Sequence, residues 1–492
     1  MAEFSFFWHD YESFGIDPAR DRPAQFAGVR TDAELNPIAE PVVWYCQPAL
    51  DYLPQPQACA ITGITPQQAW IQGLPEAEFI ARVEQELGQP GTCGVGYNSL
   101  RFDDEVTRHS LYRNLRDPYR REWSQGCSRW DVLDMLRLVH VLKPDTLNWP
   151  QQDGQTSFRL ERLSAANGIE HSHAHDALSD VWATLGLAKL VKERQPELFA
   201  YCLALRQKQQ VLAMIDYRAL KPLLHVSGRF PGSRLHSAVV VPLLPQPGNN
   251  NAVVLWDLSQ PAAMLAELEV DELRRRLYTP KDQLAEDELR PGLKSLHINR
   301  SPMLLGVNKS ILSRLQLDEA ELKDNLAWLR QHRQLWQPKL QQLYQQASEL
   351  ERPSDPDLLL YSGGFLPDSD RRILQQIIVS EVSQLKQSWP FQDGRLEEML
   401  FRYRGRNYPT SLDQQEQSQW LAHCRERLLD GRAEALTLQD FRQQLQQLAD
   451  SNELAVELQE ALAKYAEQLE QYLQDGNWPA FMLADSRASG DR

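Results

Sequence analysis

Apolar and polar positions change their rhythm twice along the chain, marking out three stretches. Up to about residue 195, short apolar runs alternate with segments of helical spacing. Phe4-Ser5-Phe6-Phe7-Trp8 is an aromatic-rich strand running into polar residues. Gln25–Thr31 and Val42–Gln47 read as further strands, with turn chemistry at Asn36-Pro37. Glu76–Leu87 has helical spacing, the Gly88–Gly91 turn follows, and Thr92–Tyr97 is again strand-like. Asp104–Tyr112, Asp131–Val141 and Asp176–Glu193 read as helices. This alternation predicts a mixed α/β architecture.

From about 196 to 350 the chain turns β-rich. Ser237–Leu244 and Asn251–Asp257 are joined by the loop Pro245-Gln246-Pro247-Gly248-Asn249-Asn250, and Ser295–Asn299 is another strand. Ala262–Tyr278 reads as one amphipathic helix, so a small β-domain with inserted helices is expected. Glu351-Arg352-Pro353-Ser354-Asp355-Pro356 has linker character. Beyond it the pattern is helical, as in Leu438–Leu448 and Glu453–Leu473, until Asp485–Arg492, which is expected to fray. The expected domains are residues 1–195, 196–350 and 355–480, and no internal repeat is visible.

With 492 residues, 42% of them hydrophobic, the chain is too long for one core. It has no membrane-spanning apolar stretch and no signal-peptide pattern, so a cytoplasmic protein without a membrane partner is expected. Its six cysteines are scattered and form no CxxC pair, which excludes a disulfide framework and a zinc site built on them. A net charge of −15 argues against a general nucleic-acid binder. It leaves room for a local basic track, since exposed charges act within a Debye length of about 10 Å.

Three groups of residues carry candidate chemistry. Asp10 and Glu12 lie two apart at the end of the first strand and share a face. Two such carboxylates repel unless a cation sits between them, and oxygen-only ligands favour Mg²⁺ or Mn²⁺; a solvated strand end is the bland alternative. Asp103 and Asp104 precede a helix and suit either a cap or a ligand role, with Asp104 the better cap. In His171-Ser172-His173-Ala174-His175-Asp176 the last residue looks like a helix N-cap. Asp180 then falls one turn inside the helix, and His175 on the loop before it is suited to taking a proton from water. His171 and His173 read as surface loop residues.

Between Arg108 and Trp123 stand five arginines (Arg108, Arg113, Arg116, Arg120, Arg121) against two acids (Asp117, Glu122), interleaved with Tyr112, Tyr119 and Trp123. A sequence-tolerant single-strand track needs this mixture, with phosphates on arginines and bases on rings. A charged helix with its aromatics in the core is the other reading.

Asp-x-Glu, a midway Asp and His-x₄-Asp, at Asp10, Glu12, Asp103, His175 and Asp180, resemble the DEDD exonuclease superfamily in its histidine-bearing branch. Longer strings resemble the bacterial exonuclease I family of single-strand-specific deoxyribonucleases. Among them are Asp21-Arg22-Pro23-Ala24-Gln25-Phe26, Gly96-Tyr97-Asn98, Ser157-Phe158-Arg159-Leu160-Glu161, His225-Val226-Ser227-Gly228 and Phe401-Arg402-Tyr403-Arg404-Gly405-Arg406-Asn407. Ser13 stands where that family has threonine, and keeps the hydroxyl.

The resemblance implies a ribonuclease H-like α/β exonuclease domain, an SH3-like β-domain with inserted helices and an all-α C-terminal domain, forming a C-shaped clamp. It implies a monomeric, processive 3′→5′ exodeoxyribonuclease that degrades single-stranded DNA to 5′-mononucleotides in repair and recombination. Two Mg²⁺ ions, with Mn²⁺ as a substitute, would be held by Asp10, Glu12, Asp103 and Asp180, and His175 would be the general base. Glu12, Arg159, Arg108, Tyr119, Trp123 and Arg137 would contact DNA. Lys143, Tyr201, Lys221 and Arg314 would bind the acidic C-terminal tail of single-stranded-DNA-binding protein, with Lys143 in place of an expected arginine. An exoribonuclease or oligonucleotide nuclease of the same superfamily, and a non-catalytic DNA-end binder, are the competing readings.

Overall fold

Strand β1 (Ser5–Ser13) extends well past the apolar run Phe4–Trp8, because its antiparallel ladder to β2 (Pro23–Thr31) continues through Asp10↔Ala27 and Glu12↔Gln25. The computed structural model describes residues 3–170, 176–345 and 353–483, and places both acids on paired strand. β3 (Val42–Cys46) pairs antiparallel with β2 and parallel with the two-residue β4 (Gly73–Leu74), while β5 (Thr92–Gly96) runs parallel to β1.

The chain forms two compact units that do not follow its order. One holds described residues of 1–128, 171–182 and 352–492; the other holds those of 129–170 and 183–351. In the first unit the strands run β4-β3-β2-β1-β5. Phe7, Tyr11 and Phe26 on one face of this sheet pack with Phe79, Ile80 and Val83 of the helix Glu76–Leu87 and with Val106 and Leu111 of the helix Asp103–Arg113. Alternation along β1 then turns Asp10 and Glu12 to the opposite face.

C-terminal helices share the core of this unit. Trp420, Phe441, Tyr465 and Leu469, from the helices Gln414–Leu428, Leu438–Asp450 and Val456–Asp475, pack with Leu50, Leu53, Cys59 and Ile64. The helix Arg395–Asn407 packs likewise around Ala77, Tyr112 and Leu115.

β6 (Ser128–Asp131) enters the second unit at Arg129 and leads to the helix Val132–Leu142 and the short hairpin β7 (Gln151–Gln152)–β8 (Gln155–Thr156). An antiparallel five-stranded sheet follows, formed by β9 (Leu223–Val226), β10 (Ser237–Pro245), β11 (Ala252–Asp257), β12 (Leu293–His297) and β13 (Met303–Gly306) in the order β12-β11-β10-β9-β13. Val239, Val241, Val254 and Trp256 fill its core together with Trp336 and Leu340 from the helix Arg333–Gln345.

The expected single helix Ala262–Tyr278 is two, Met264–Glu267 and Val270–Tyr278, separated by extended residues Leu268 and Glu269. Lys339 Nζ donates to the carbonyls of Ala266 and Leu268 at 3.0 and 2.9 Å, which satisfies the end of the first helix and lets it stop there. All six cysteines are buried, with no disulfide among the described residues. No described helix is long and apolar enough to cross a membrane.

Candidate active site

Asp10 and Glu12 on β1 meet Asp180 from the first turn of the helix Ala177–Arg194, and one carboxylate oxygen of each lies within 4.8 Å of the others. Asp176 caps that helix, its carboxylate accepting the Ser179 N–H at 3.2 Å. Asp103 lies outside this trio but is tied to it. Its Oδ1 accepts the backbone N–H of Tyr11, the residue between the two strand acids, at 3.1 Å. The Tyr11 and Thr107 hydroxyls are bonded at 3.0 Å, and Thr107 Oγ1 donates to the Asp103 carbonyl at 2.8 Å, which holds the helix Asp103–Arg113 to β1. His175, His171 and His173 lie outside the described residues.

Burial and mutual repulsion act together on these acids. Burial comes first for Asp10, followed by the charges of Asp103, Asp180, Glu12 and Asp176, and its carboxyl is raised well above the usual range. Glu12 is pushed up to about 8 by burial and then by Asp180, Asp103 and Asp176. A cluster of oxygen donors that repel one another in a buried place fits a hard divalent cation, which removes the repulsion and takes the ligands it prefers. Nothing in the sequence pattern pointed to Asp176 as a further charge on the site, since a cap explained it.

Asp104 is no helix cap. It is buried and pairs with Arg121 at 2.5 Å, and the helix begins one residue earlier without a side-chain cap. His9 beside this pair is lowered to about 4, first by burial.

The arginine run is corrected in the same way, because most of its charge is turned inward. Arg108 donates to both oxygens of Glu122 at 2.6 and 2.9 Å, Arg113 pairs with Glu76 at 2.6 Å and Arg116 with Glu84 at 2.6 Å. Arg120 is exposed, Tyr119 is half-buried with the Arg108 guanidinium 5.5 Å from its ring centre, and Trp123 is 69% exposed. The segment therefore presents rings and one open cation rather than a row of five.

In the second unit, Arg137 donates to Asp134 at 2.6 Å and its guanidinium lies 5.7 Å from the Phe158 ring centre, while Arg159 is exposed just before the helix Leu160–Ala166. Lys143 ends the helix Val132–Leu142, which packs against Pro196–Ala204, Lys309–Arg314, β9 and β13. Tyr201 and Arg314 lie on the first two of those elements, and Lys221 stands two residues before β9. Lys143, Lys221 and Arg314 are exposed; Tyr201 donates its hydroxyl to the Leu304 carbonyl at 2.7 Å.

Comparison with known proteins places this arrangement. Models of an exonuclease, of the exonuclease I SH3-like domain and of the exonuclease I C-terminal domain match residues 7–188, 206–346 and 354–469. Exodeoxyribonuclease I of Escherichia coli K12 is 46% identical over 474 residues, covering 94% of this chain and 98% of that protein. The chain belongs to the exodeoxyribonuclease I family. Its fold is accordingly a ribonuclease H-like exonuclease domain followed by SH3-like and helical C-terminal domains. The zinc-bound form of the E. coli exonuclease I–single-stranded DNA complex has a TM-score of 0.90 at 44% identity, over 95% of this chain and 100% of that one. A structure of single-stranded-DNA-binding protein with exonuclease I and the inhibitor CFAM has a TM-score of 0.86 at 44% identity, over 95% and 100%. Exodeoxyribonuclease I members are exonucleases, and Asp10, Glu12 and Asp180 of this chain form a group that could hold a metal ion.

Proposed function

We propose that this chain removes nucleotides one at a time from the 3′ end of single-stranded DNA, releasing 5′-mononucleotides, with Mg²⁺ as its ion and Mn²⁺ as a substitute. The convergence of Asp10, Glu12 and Asp180 within 4.8 Å carries this reading, in a chain whose E. coli relative was solved with single-stranded DNA. Asp10, Glu12, Asp103 and Asp180 hold the ions, directly or through water. Two bound divalent ions supply a lowered pKa for the attacking water and charge neutralisation at the leaving 3′-oxygen.

The chain's own groups do the rest. Tyr11 N–H orients the Asp103 carboxylate and so ties it to the strand that carries Asp10 and Glu12. His175 takes the proton of the attacking water at a ring nitrogen, a contribution of about 10²–10⁴-fold. Arg159 grips the terminal phosphate through its planar fork, and Trp123, Tyr119, Arg108 and Arg137 contact the strand behind it. Lys143, Tyr201, Lys221 and Arg314 receive the acidic tail of single-stranded-DNA-binding protein, a reading supported by the placement of Tyr201 and Arg314 on elements packed against the helix that Lys143 ends. The reading includes a division into residues 1–195, 196–350 and 355–480, a monomeric cytoplasmic protein, and a part in DNA repair and recombination.

End-labelled single-stranded DNA, its RNA counterpart and a duplex, each incubated with Mg²⁺ or EDTA, test the proposal. Loss of single-stranded DNA alone, from the 3′ end and only with Mg²⁺, is expected. RNA degraded equally fast would make the chain an exoribonuclease, and an intact but bound strand would make it an end-binding protein.

A further inference from the structure

A helix start is fixed by whatever holds its unpaired N–H groups. The helix Ala177–Arg194, which brings Asp180 to the other carboxylates in its first turn, is held from two sides. The Asp176 carboxylate accepts the Ser179 N–H at 3.2 Å, a cap from the chain itself. Gln25 Oε1 accepts the Ala177 N–H, also at 3.2 Å, a bond that comes from the sheet. Gln25 is 3% exposed and stands on β2 directly opposite Glu12 in the antiparallel register. Directly opposed residues share a face, so Gln25 belongs to the face that carries Asp10 and Glu12. Ala27, opposite Asp10, and Ala177 are both fully buried and bring little bulk between strand and helix.

We propose that Gln25 is a positioning residue for the metal-binding carboxylates: its amide sets how far the Asp180-bearing turn stands from Asp10 and Glu12. The inference rests on the metal-binding reading of that site. Residue type supports it. A glutamine spans the gap with an acceptor and adds no charge where Asp10, Glu12, Asp103, Asp176 and Asp180 already act on one another. Asparagine is one methylene too short to hold the turn at the same distance. Leucine fills the space but leaves a buried N–H without its acceptor, a loss that shifts the turn instead of sealing it.

Mn²⁺ binding to the full chain, measured by electron paramagnetic resonance of the free ion, tests this, with Asp10→Asn defining what the site contributes. Gln25→Leu and Gln25→Asn should weaken that binding by about 10- to 100-fold, the range for groups that orient metal ligands, with a melting temperature in EDTA close to the parent's. Gln25→Glu keeps the acceptor and the length, and should bind Mn²⁺ at least as tightly as the parent. A folded Gln25→Leu or Gln25→Asn chain that binds Mn²⁺ within about threefold of the parent overturns the proposal, as does a weakened Gln25→Glu. Loss of folding in both shortened and apolar variants also overturns it, by making Gln25 a stability residue. A parent chain that binds no more Mn²⁺ than Asp10→Asn fails the reading of the site itself, a result distinct from any of these.

Discussion

Arg406 Nη2 donates to Asp51 Oδ2 at 2.8 Å, joining residues 355 positions apart in a place where neither side chain reaches solvent. The same guanidinium nitrogen reaches Asp357 at 2.6 Å, and His423 and Arg427 also face Asp51, at 3.2 and 3.8 Å. A buried ion network of this kind is costly to interrupt, because removing one member strands the others without compensation. Arg406→Met should therefore destabilise the chain by about 3–5 kcal/mol, read as a fall in the urea midpoint. A change below about 1 kcal/mol would mean that the remaining arginines suffice. Residues 1–195 expressed alone should fail to fold, since they would keep Asp51 and lose Arg406, His423 and Arg427 that face it.

The same network makes stability depend on acidity. Burial alone would raise Asp51, but Arg406, His423 and Arg427 override it and hold the carboxyl well below the carboxylate range. Asp357 is likewise held low against its burial by Arg406 and Arg402. A depressed folded pKa contributes stability that is complete above the unfolded value, near 4, and is lost as pH falls further. The network's share of the urea midpoint, read as the difference between the parent and Arg406→Met, should thus stay level from about pH 7 to 5 and shrink below about pH 4. In Arg406→Met the drop below pH 4 should be shallower, because less of Asp51's charge preference remains to lose. An equally steep drop would place the acid-sensitive groups elsewhere.

How much of this could be read in the chain beforehand follows from the range of each interaction. Glu76–Leu87 was legible because an amphipathic helix writes its period locally. That Asp10 and Glu12 share a face was legible because strand alternation is local too, whereas the convergence of Asp180 on them was expected only from the family resemblance. Which strand lies beside Asp10 and Glu12 was not legible, since β2 pairs with them only in the fold. The arginine run misled for the same reason. Its partners Asp104, Glu84 and Glu76 lie 17, 32 and 37 positions away, so counting charges within Arg108–Trp123 overstated what faces solvent. The core shared by Leu50 and Trp420 has no local signal at all.

The carboxylate site should behave differently with and without its ion. In EDTA, Asp10→Asn removes a carboxyl whose charge is opposed by burial and by Asp103, Asp180, Glu12 and Asp176, so the variant should melt about 1 °C above the parent, about 1 kcal/mol for a chain of this size. Mn²⁺ should reverse the order, because a ligand that binds only the folded state stabilises it in proportion to its affinity. Hydrolysis of single-stranded DNA by Asp10→Asn should fall at least about a thousandfold, roughly 4 kcal/mol of transition-state stabilisation. Parent-like turnover, or the same melting order in both conditions, would show that the three acids hold no catalytic ion.

Trp123 and Arg108 separate strand binding from folding. Trp123 is 69% exposed, which leaves its ring open to stack on a base. Arg108 is buried between Glu105, Glu122 and the Tyr361 hydroxyl. Trp123→Ala should weaken binding of a fluorescent oligothymidylate in EDTA by about 1–3 kcal/mol, the range for a base–aromatic stack, without moving the melting temperature. Arg108→Ala should lower the melting temperature, because it leaves Glu122, whose side chain is 8% exposed, as a nearly buried charge without that partner. Its binding should be compared only well below that temperature. Trp123→Ala with affinity within about twofold of the parent would mean that no base rests on this ring, and that the strand runs along other residues.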